Sequence, residues 1–185
     1  MKIPIEISAR HVHVSQKDLE KLFGKGYKLH FLKKLSQTDD FSSKEEVELI
    51  NKKNKMKVRV LGPCRKYTQA EVSITDSYLL KIKTPPIKIS GELDNAPVIK
   101  IKGPKGTVKG KIIIAQRHLH VSEKQAKKLK LRNNQKIKVE TSGKRAVIFE
   151  NVAVRIKDDF KLALHLDTDE GNAAGITGKS SGKII

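Results

Sequence analysis

A duplicated segment constrains this chain more than any other feature. Residues 7–22 and 114–129 align so that Arg10, His11, His13, Val14 and Ser15 recur as Arg117, His118, His120, Val121 and Ser122, each 107 positions later. Matches this dense at one spacing mark a repeated supersecondary unit, and the fold must accommodate two copies of it. A fainter correspondence follows at an offset of 94: Val58-x-Val60 with Glu71 thirteen residues after Val58 answers Val152-x-Val154 with His165 thirteen residues after Val152. The first copy therefore holds 13 extra residues, which we place in the polar stretch from Phe31 to Ser43. A surface loop absorbs such length at little entropic cost.

The chain reads as mostly β. Ile3–Ser8, Glu46–Ile50, Met56–Leu61, Ala70–Thr75, Leu79–Lys83, Val98–Ile101, Lys111–Ala115, Gln135–Thr141, Ala146–Ile156 and Leu162–Leu166 are short, rich in Val, Ile and Leu, and separated by Gly-Pro, Gly-Lys and Asn-Lys turns. Two helices are expected, Gln16–Phe23 after Ser15 and Glu123–Leu129 after Ser122, because each Ser can accept from the first turn as an N-cap. Strands this short predict two small β-barrels related by internal duplication, with short capping α-helices. The stretch from Thr84-Pro85-Pro86 to Gly91 is the expected connection between the halves.

Charge narrows the partners. Among 185 residues, 39 Lys and Arg against 20 Asp and Glu leave +19, a surplus that favours polyanions or simply dresses a lysine-rich solvated surface. A basic nucleic-acid-binding β-barrel is therefore one candidate class. Against it stand an aromatic content of 4% and the absence of tryptophan, which leave few platforms for base stacking. One cysteine, Cys64, excludes an internal disulfide framework and fits a reducing, cytoplasmic setting. It has no histidine at a motif spacing and reads as a packed apolar cysteine, not a nucleophile. No apolar run approaches the ~20 residues of a membrane span, and no signal-peptide core opens the chain.

Five of the six histidines fall inside the repeats; His30 lies outside them and reads as a surface residue. Residues i and i+2 of a strand share a face, so His11-x-His13 and His118-x-His120 each present two imidazoles side by side. A single His-x-His is more often a surface pair, but two copies in one duplicated frame point to a metal. Glu71 and His165 occupy the equivalent late position of each half and supply a third donor. The expected ligand sets are His11, His13, Glu71 and His118, His120, His165. Three N and O donors with an open position fit zinc best, with other divalent transition ions compatible. Arg65, six residues before Glu71, is suited to grip a phosphate through its planar fork, the alternative being a surface ion pair. Arg10 and Arg117 alternate to the opposite strand face, which suits structural roles.

Taken together, Ser8-x-Arg10-His11-Val12-His13, Leu61-Gly62-Pro63-x-Arg65-Lys66-x-Thr68-Gln69-x-Glu71, Ile114-Ala115-x-Arg117-His118-Leu119-His120 and His165-Leu166-Asp167-Thr168-Asp169-Glu170-x-Asn172-Ala173 resemble the signatures of the phosphate propanoyltransferase family of zinc-dependent phosphotransacylases. The resemblance runs nearly end to end. It implies two small β-barrels at 10–112 and 113–185, with the N-terminal strand 1–9 completing the second. It further implies two zinc ions per chain in a site between the barrels, coenzyme A bound beside them, and a homodimer. Arg65 matches the phosphate-binding arginine. Ser8, Lys33, Arg59, Leu61, His165 and Asn172 match positions lining the coenzyme A pocket. Where the family tends to carry Arg-Asp-Ser-Gly, this chain has Lys88-Ile89-Ser90-Gly91, keeping a cation and losing an acid.

The implied reaction joins inorganic phosphate to the acyl group of a short-chain acyl-CoA, acetyl or propanoyl, releasing coenzyme A. Direct transfer is expected because no activated nucleophile is visible. A metal-dependent thioester hydrolase on the same donors is a further alternative, since metal-bound water is a ready nucleophile. Family members bound for microcompartments carry an N-terminal extension, for which His11 leaves no room. Neither a membrane nor a specific nucleic acid is an expected partner.

Overall fold

The computed structural model describes residues 2–185, in two compact units. One is continuous, Arg10–Ala115; the other is split, joining the residues up to Ala9 to Gln116–Ile185. Strand β1 (Lys2–Ser8) opens the split unit. The continuous unit then runs β2 (His11–Ser15), α1 (Gln16–Phe23), β3 (Phe31–Lys34), β4 (Phe41–Asn51), β5 (Asn54–Arg65), β6 (Gln69–Val72), α2 (Ile74–Leu79), β7 (Ile87–Lys88), β8 (Val98–Lys102) and β9 (Thr107–Ala115). The split unit resumes with β10 (His118–Val121), α3 (Glu123–Leu129), β11 (Lys136–Thr141), β12 (Ile148–Ile156), β13 (Ala163–Asp167), α4 (Thr168–Ala173) and β14 (Ser180–Ile184).

Each unit is a six-stranded closed barrel, and the two rings have the same pattern. In the split unit the order is β1-β13-β10-β12-β11-β14, with β1·β13 and β10·β12 parallel and the other pairs antiparallel. In the continuous unit β9-β6-β2-β5-β4-β8 closes the same way, with β9·β6 and β2·β5 parallel. Strands β1 and β9 therefore play one role, yet each precedes the His-x-His strand of the other unit. Register confirms the equivalence: Ile5 pairs with Leu164 as Ile112 pairs with Ala70. Closing both sheets removes the long unpaired edges that would otherwise template further pairing.

Alternation explains which face fills each barrel. Val12 and Val14 on β2 join Val58, Val60, Leu49 and Ile101 in one core. Leu119 and Val121 on β10 join Ile3, Ile5, Val154, Leu164 and Leu166 in the other. The intervening histidines must then face outward. His11 and His13 nevertheless stay buried, at 6% and 3% exposure. The extra length of the first copy forms β3 and its turn into β4, an appended strand without counterpart in the split unit. Gly62 on β5 allows the Phe41 ring to lie where a Cβ would sit.

Three local expectations need correction. Helices α1 and α3 occupy the expected residues, but α2 and α4 are additional. Leu79–Lys83 is not a strand, and β6 ends at Val72. Ser73 there accepts from the Asp76 backbone while the Asp76 carboxylate accepts from that of Ser73, and this reciprocal capping starts α2 instead. Asp167 and Glu170 start α4 identically. The stretch 84–91 lies inside the continuous unit and does not connect the halves, because Ile87 and Lys88 pair with β9.

Candidate functional site

The continuous unit gathers His11, His13 and Glu71. His11 stands directly opposite Glu71 on the antiparallel pair β2·β6, and His13 opposite Gln69. The His11 Nε2 atom lies 3.6 Å from Glu71 Oε2, and His13 Nε2 lies 4.0 Å from Glu71 Oε1. One donor atom from each residue falls within 4.8 Å of the other two, an arrangement that could hold a metal.

Glu71 is held in place by its neighbours. Its Oε1 accepts from Gln69 Nε2 and, at 2.6 Å, from the Ser90 hydroxyl. Gln69 Nε2 also donates to Ser90 Oγ at 3.0 Å, while the Gly91 N–H donates to Gln69 Oε1 at 2.9 Å. Arg65 Nη1 donates to Ser90 Oγ at 3.2 Å, and Arg65 Nη2 approaches Asp40 Oδ1 at 3.8 Å. Burial pushes the Glu71 carboxyl up, but His11, His13, Ser90 and Arg65 outweigh it and hold it at about 2. The carboxylate is therefore ionised, with Oε2 facing His11 and Oε1 facing His13. Burial, reinforced by His11 and Arg65, pushes the His13 imidazole well below its ordinary range. It is neutral, the form that ligates a metal.

The split unit gathers His118, His120 and His165. His118 stands opposite His165 on β10·β13, the position Glu71 holds against His11. The ring centroids of the trio lie 4.6 to 5.1 Å apart, with one donor atom of each within 4.8 Å of the others. His118 Nδ1 is 2.8 Å from the Gln116 carbonyl oxygen. A carbonyl only accepts, so Nδ1 carries the proton and Nε2 is left as a ligand. Both ring nitrogens of His120 are buried and have no hydrogen-bond partner. Burial first, then His118, His165 and Arg155, lower its pKa strongly. An orphaned neutral imidazole among two others is costly unless a cation takes its lone pair. The donors therefore fit zinc. The Phe160 ring lies tilted against His120, with centroids 4.1 Å apart.

A common sequence pattern accompanies this geometry. The family model described as phosphate propanoyltransferase matches residues 4–177. The chain belongs to that family. Among relatives bearing the same name, one from Thermotoga maritima is 46% identical over 176 residues, covering 93% of this chain and 83% of its own. One from Clostridioides difficile strain 630 is 42% identical over 187 residues, with 99% and 88% covered. Another from Limosilactobacillus reuteri is 40% identical over 189 residues, with 99% and 87% covered. Membership in the phosphate propanoyltransferase family does not favour the nucleic-acid-binding or hydrolase alternatives.

The remaining expected positions divide between the units. On β5, Arg59 is in register with His11 and Leu61 with His13. Lys33 on β3 pairs with Ser42, and Ser42 with Leu61, so Lys33, Leu61 and His13 lie along one ladder. Arg59 is engaged locally, donating to the Ser43 carbonyl at 3.0 Å and to Glu46 at 2.5 Å. In the split unit, Ser8 pairs across from Asp167, the cap of the helix carrying Asn172. Cys64 packs against the core, and burial raises its thiol pKa. His30 is an exposed residue whose Nδ1 lies 2.7 Å from Glu45 Oε1. Residue types alone missed Ser90, Gln69 and Phe160 as parts of the site. The departing Lys88-Ile89-Ser90-Gly91 segment was the available signal for Ser90.

Proposed function

We propose that this chain is a phosphate acyltransferase that interconverts a short-chain acyl-CoA and inorganic phosphate with an acyl phosphate and coenzyme A. The observation that carries this is the hydrogen-bonded path Arg65–Ser90–Glu71. It seats a guanidinium, the natural partner of a phosphate, one side chain away from a candidate metal ligand. His11, His13 and Glu71 would hold one zinc ion, and His118, His120 and His165 a second. Bound zinc would supply Lewis acidity toward the thioester carbonyl and charge neutralisation for phosphate and thiolate.

The chain's own residues do the rest. Arg65 Nη1 donates to Ser90 Oγ at 3.2 Å, which orients the guanidinium, while Nη2 lies 3.8 Å from Asp40 Oδ1. The fork so oriented would bind phosphate bidentately and set the attacking oxygen toward the carbonyl carbon. It would also face the charge that builds as the carbonyl oxygen becomes anionic. Attack forms the acyl–oxygen bond, the carbon–sulfur bond breaks, and the electron pair leaves on the sulfur of coenzyme A. Lys33, Arg59, Leu61, Ser8, His165 and Asn172 would contact coenzyme A. The +19 surface would draw in both anionic substrates. A homodimer in the cytoplasm, where Cys64 remains a thiol, completes the proposal.

Product identity is the test. Purified protein incubated with propanoyl-CoA or acetyl-CoA and phosphate should yield acyl phosphate, trapped as its hydroxamate, in step with free thiol. Thiol release without acyl phosphate would make the chain a hydrolase.

A further inference from the structure

The extra length of the first copy does more than lengthen a loop. Strand β3 stands at the end of its sheet and, among the described residues, pairs with β4 alone, Phe31 with Ser43, Lys33 with Ser42 and Lys34 with Phe41. All four of its residues are exposed. Those pairs and the Phe31 ring 5.8 Å from that of Phe41 are a weak hold on a short edge strand.

A carboxylate fixes the entry to this strand. Glu45 lies in the irregular stretch of β4 between Ser42 and Glu46, with its side chain only 3% exposed. Both of its oxygens accept from the His30 N–H at 3.2 Å, and His30 Nδ1 lies 2.7 Å from Oε1. The Tyr27 hydroxyl donates to Oε1 at 3.0 Å, and Tyr27 itself stacks on Phe23 beside the core. The Lys44 N–H donates to the His30 carbonyl at 2.9 Å. Burying a carboxylate is costly unless donors surround it, and Tyr27 and His30 supply them from the segment that leads into β3.

The same stretch of β4 is gripped from β5. Arg59 Nη1 donates to the Ser43 carbonyl at 3.0 Å and to the Lys44 carbonyl at 3.3 Å. Strand β4 thus stands between the strands carrying Lys33 and Arg59, the two cations proposed above to contact coenzyme A. Cations held in fixed register can meet anionic phosphates without being ordered at the moment of binding.

We infer that Glu45 is a positioning residue for coenzyme A: by clamping His30 it holds β3 on β4, and through β3 it holds Lys33 in place for the coenzyme's phosphates. This inference rests on the reading of Lys33 as a coenzyme A contact given above.

The experiment is a calorimetric titration of the full chain with coenzyme A, comparing wild type, Glu45→Gln, Lys33→Ala and the double variant. Glu45→Gln and Lys33→Ala should each weaken coenzyme A by about two- to fivefold, the worth of one exposed charge contact. The double variant should bind no more weakly than Lys33→Ala, because the clamp acts through that lysine. Pantetheine, which lacks the phosphates, should not distinguish the four proteins. Unaltered coenzyme A affinity in Glu45→Gln, or losses that multiply in the double variant, would overturn the inference. If Glu45→Gln does not fold, His30→Ala replaces it, since that side chain is 63% exposed. It should weaken coenzyme A in the same direction, and unchanged affinity would overturn the clamp. Wild type that binds coenzyme A but forms no acyl phosphate would refute the proposed reaction and leave the clamp standing; wild type that binds no coenzyme A would overturn both.

Discussion

Arg10 donates a hydrogen bond from its guanidinium to Oδ1 of Asp76, the residue that closes the capping box of α2. In the other unit Arg117 Nε faces Glu170 Oε1 at 3.3 Å, and Glu170 closes the capping box of α4. The arginine preceding each His-x-His pair therefore clamps the helix that follows the third candidate ligand. Asp76 is buried, whereas Arg10 is 46% exposed, so the acid carries more of the stability. Asp76→Ala should lower unfolding free energy by about 1–3 kcal/mol through the lost cap and the orphaned donors. Arg10→Ala should cost less. Urea denaturation of the two variants checks the order.

Arg65→Ala should raise the KM for phosphate, lower kcat, or do both, with about 2–4 kcal/mol of transition-state stabilisation lost. Arg65→Lys should recover only part of it, because a point charge lacks the planar fork. Metal content should not change. Steady-state kinetics with phosphate varied at saturating acyl-CoA decides it: wild-type parameters in the alanine variant would return Arg65 to a surface ion pair.

Ser90→Ala removes the hydroxyl that donates to Glu71 and accepts from Arg65 and Gln69. The Glu71 carboxyl should rise from about 2, and one zinc equivalent should weaken by about 10- to 100-fold. Calorimetric zinc titration measures the change. Affinity equal to wild type would show that Gln69 alone suffices to hold the carboxylate.

With each cluster holding one ion as proposed, His118→Ala should leave about one metal ion per chain, because two imidazoles are too few for a stable site. Circular dichroism should stay near wild type, since Leu119 and Val121 still fill the barrel. Elemental analysis decides. Two retained ions in active protein would make the histidine repeat structural.

Glu45 supplies a pH signature away from both clusters. Burial pushes its carboxyl up, but His30, Ser43 and Tyr27 outweigh burial and leave it below its ordinary 4.5. A depressed folded pKa stabilises the protein fully above 4.5, and that stability is lost as pH falls through the folded value. The stability advantage of wild type over Glu45→Gln should therefore shrink as pH falls below about 4.5. An advantage that grew as pH fell below 4.5 would reverse the sign and refute the assignment.

Much of the candidate site was legible in the residues alone. Strand alternation is local, so His-x-His announced two imidazoles on one face, and the duplicated frame singled out Glu71 and His165 as third donors. Helices α1 and α3 were legible for the same reason, since a capping serine and its partner lie within one turn. The short helices α2 and α4 were missed because apolar β-formers around them masked equally local caps.

The exchange of β1 and β9 between barrels belongs to tertiary structure, since β1 pairs with residues about 160 positions away and no local preference encodes that choice. The same long-range pairing brought Glu6 to His165 and, through β7 on β9, carried Ser90 to Glu71. Sequence by itself determined the candidate donors and their two-fold repetition, because side-chain chemistry and strand period are properties of neighbours in the chain. Only the closed sheets decided which carboxylates and hydroxyls stand beside those donors, because a barrel closes by pairing strands that are remote in sequence.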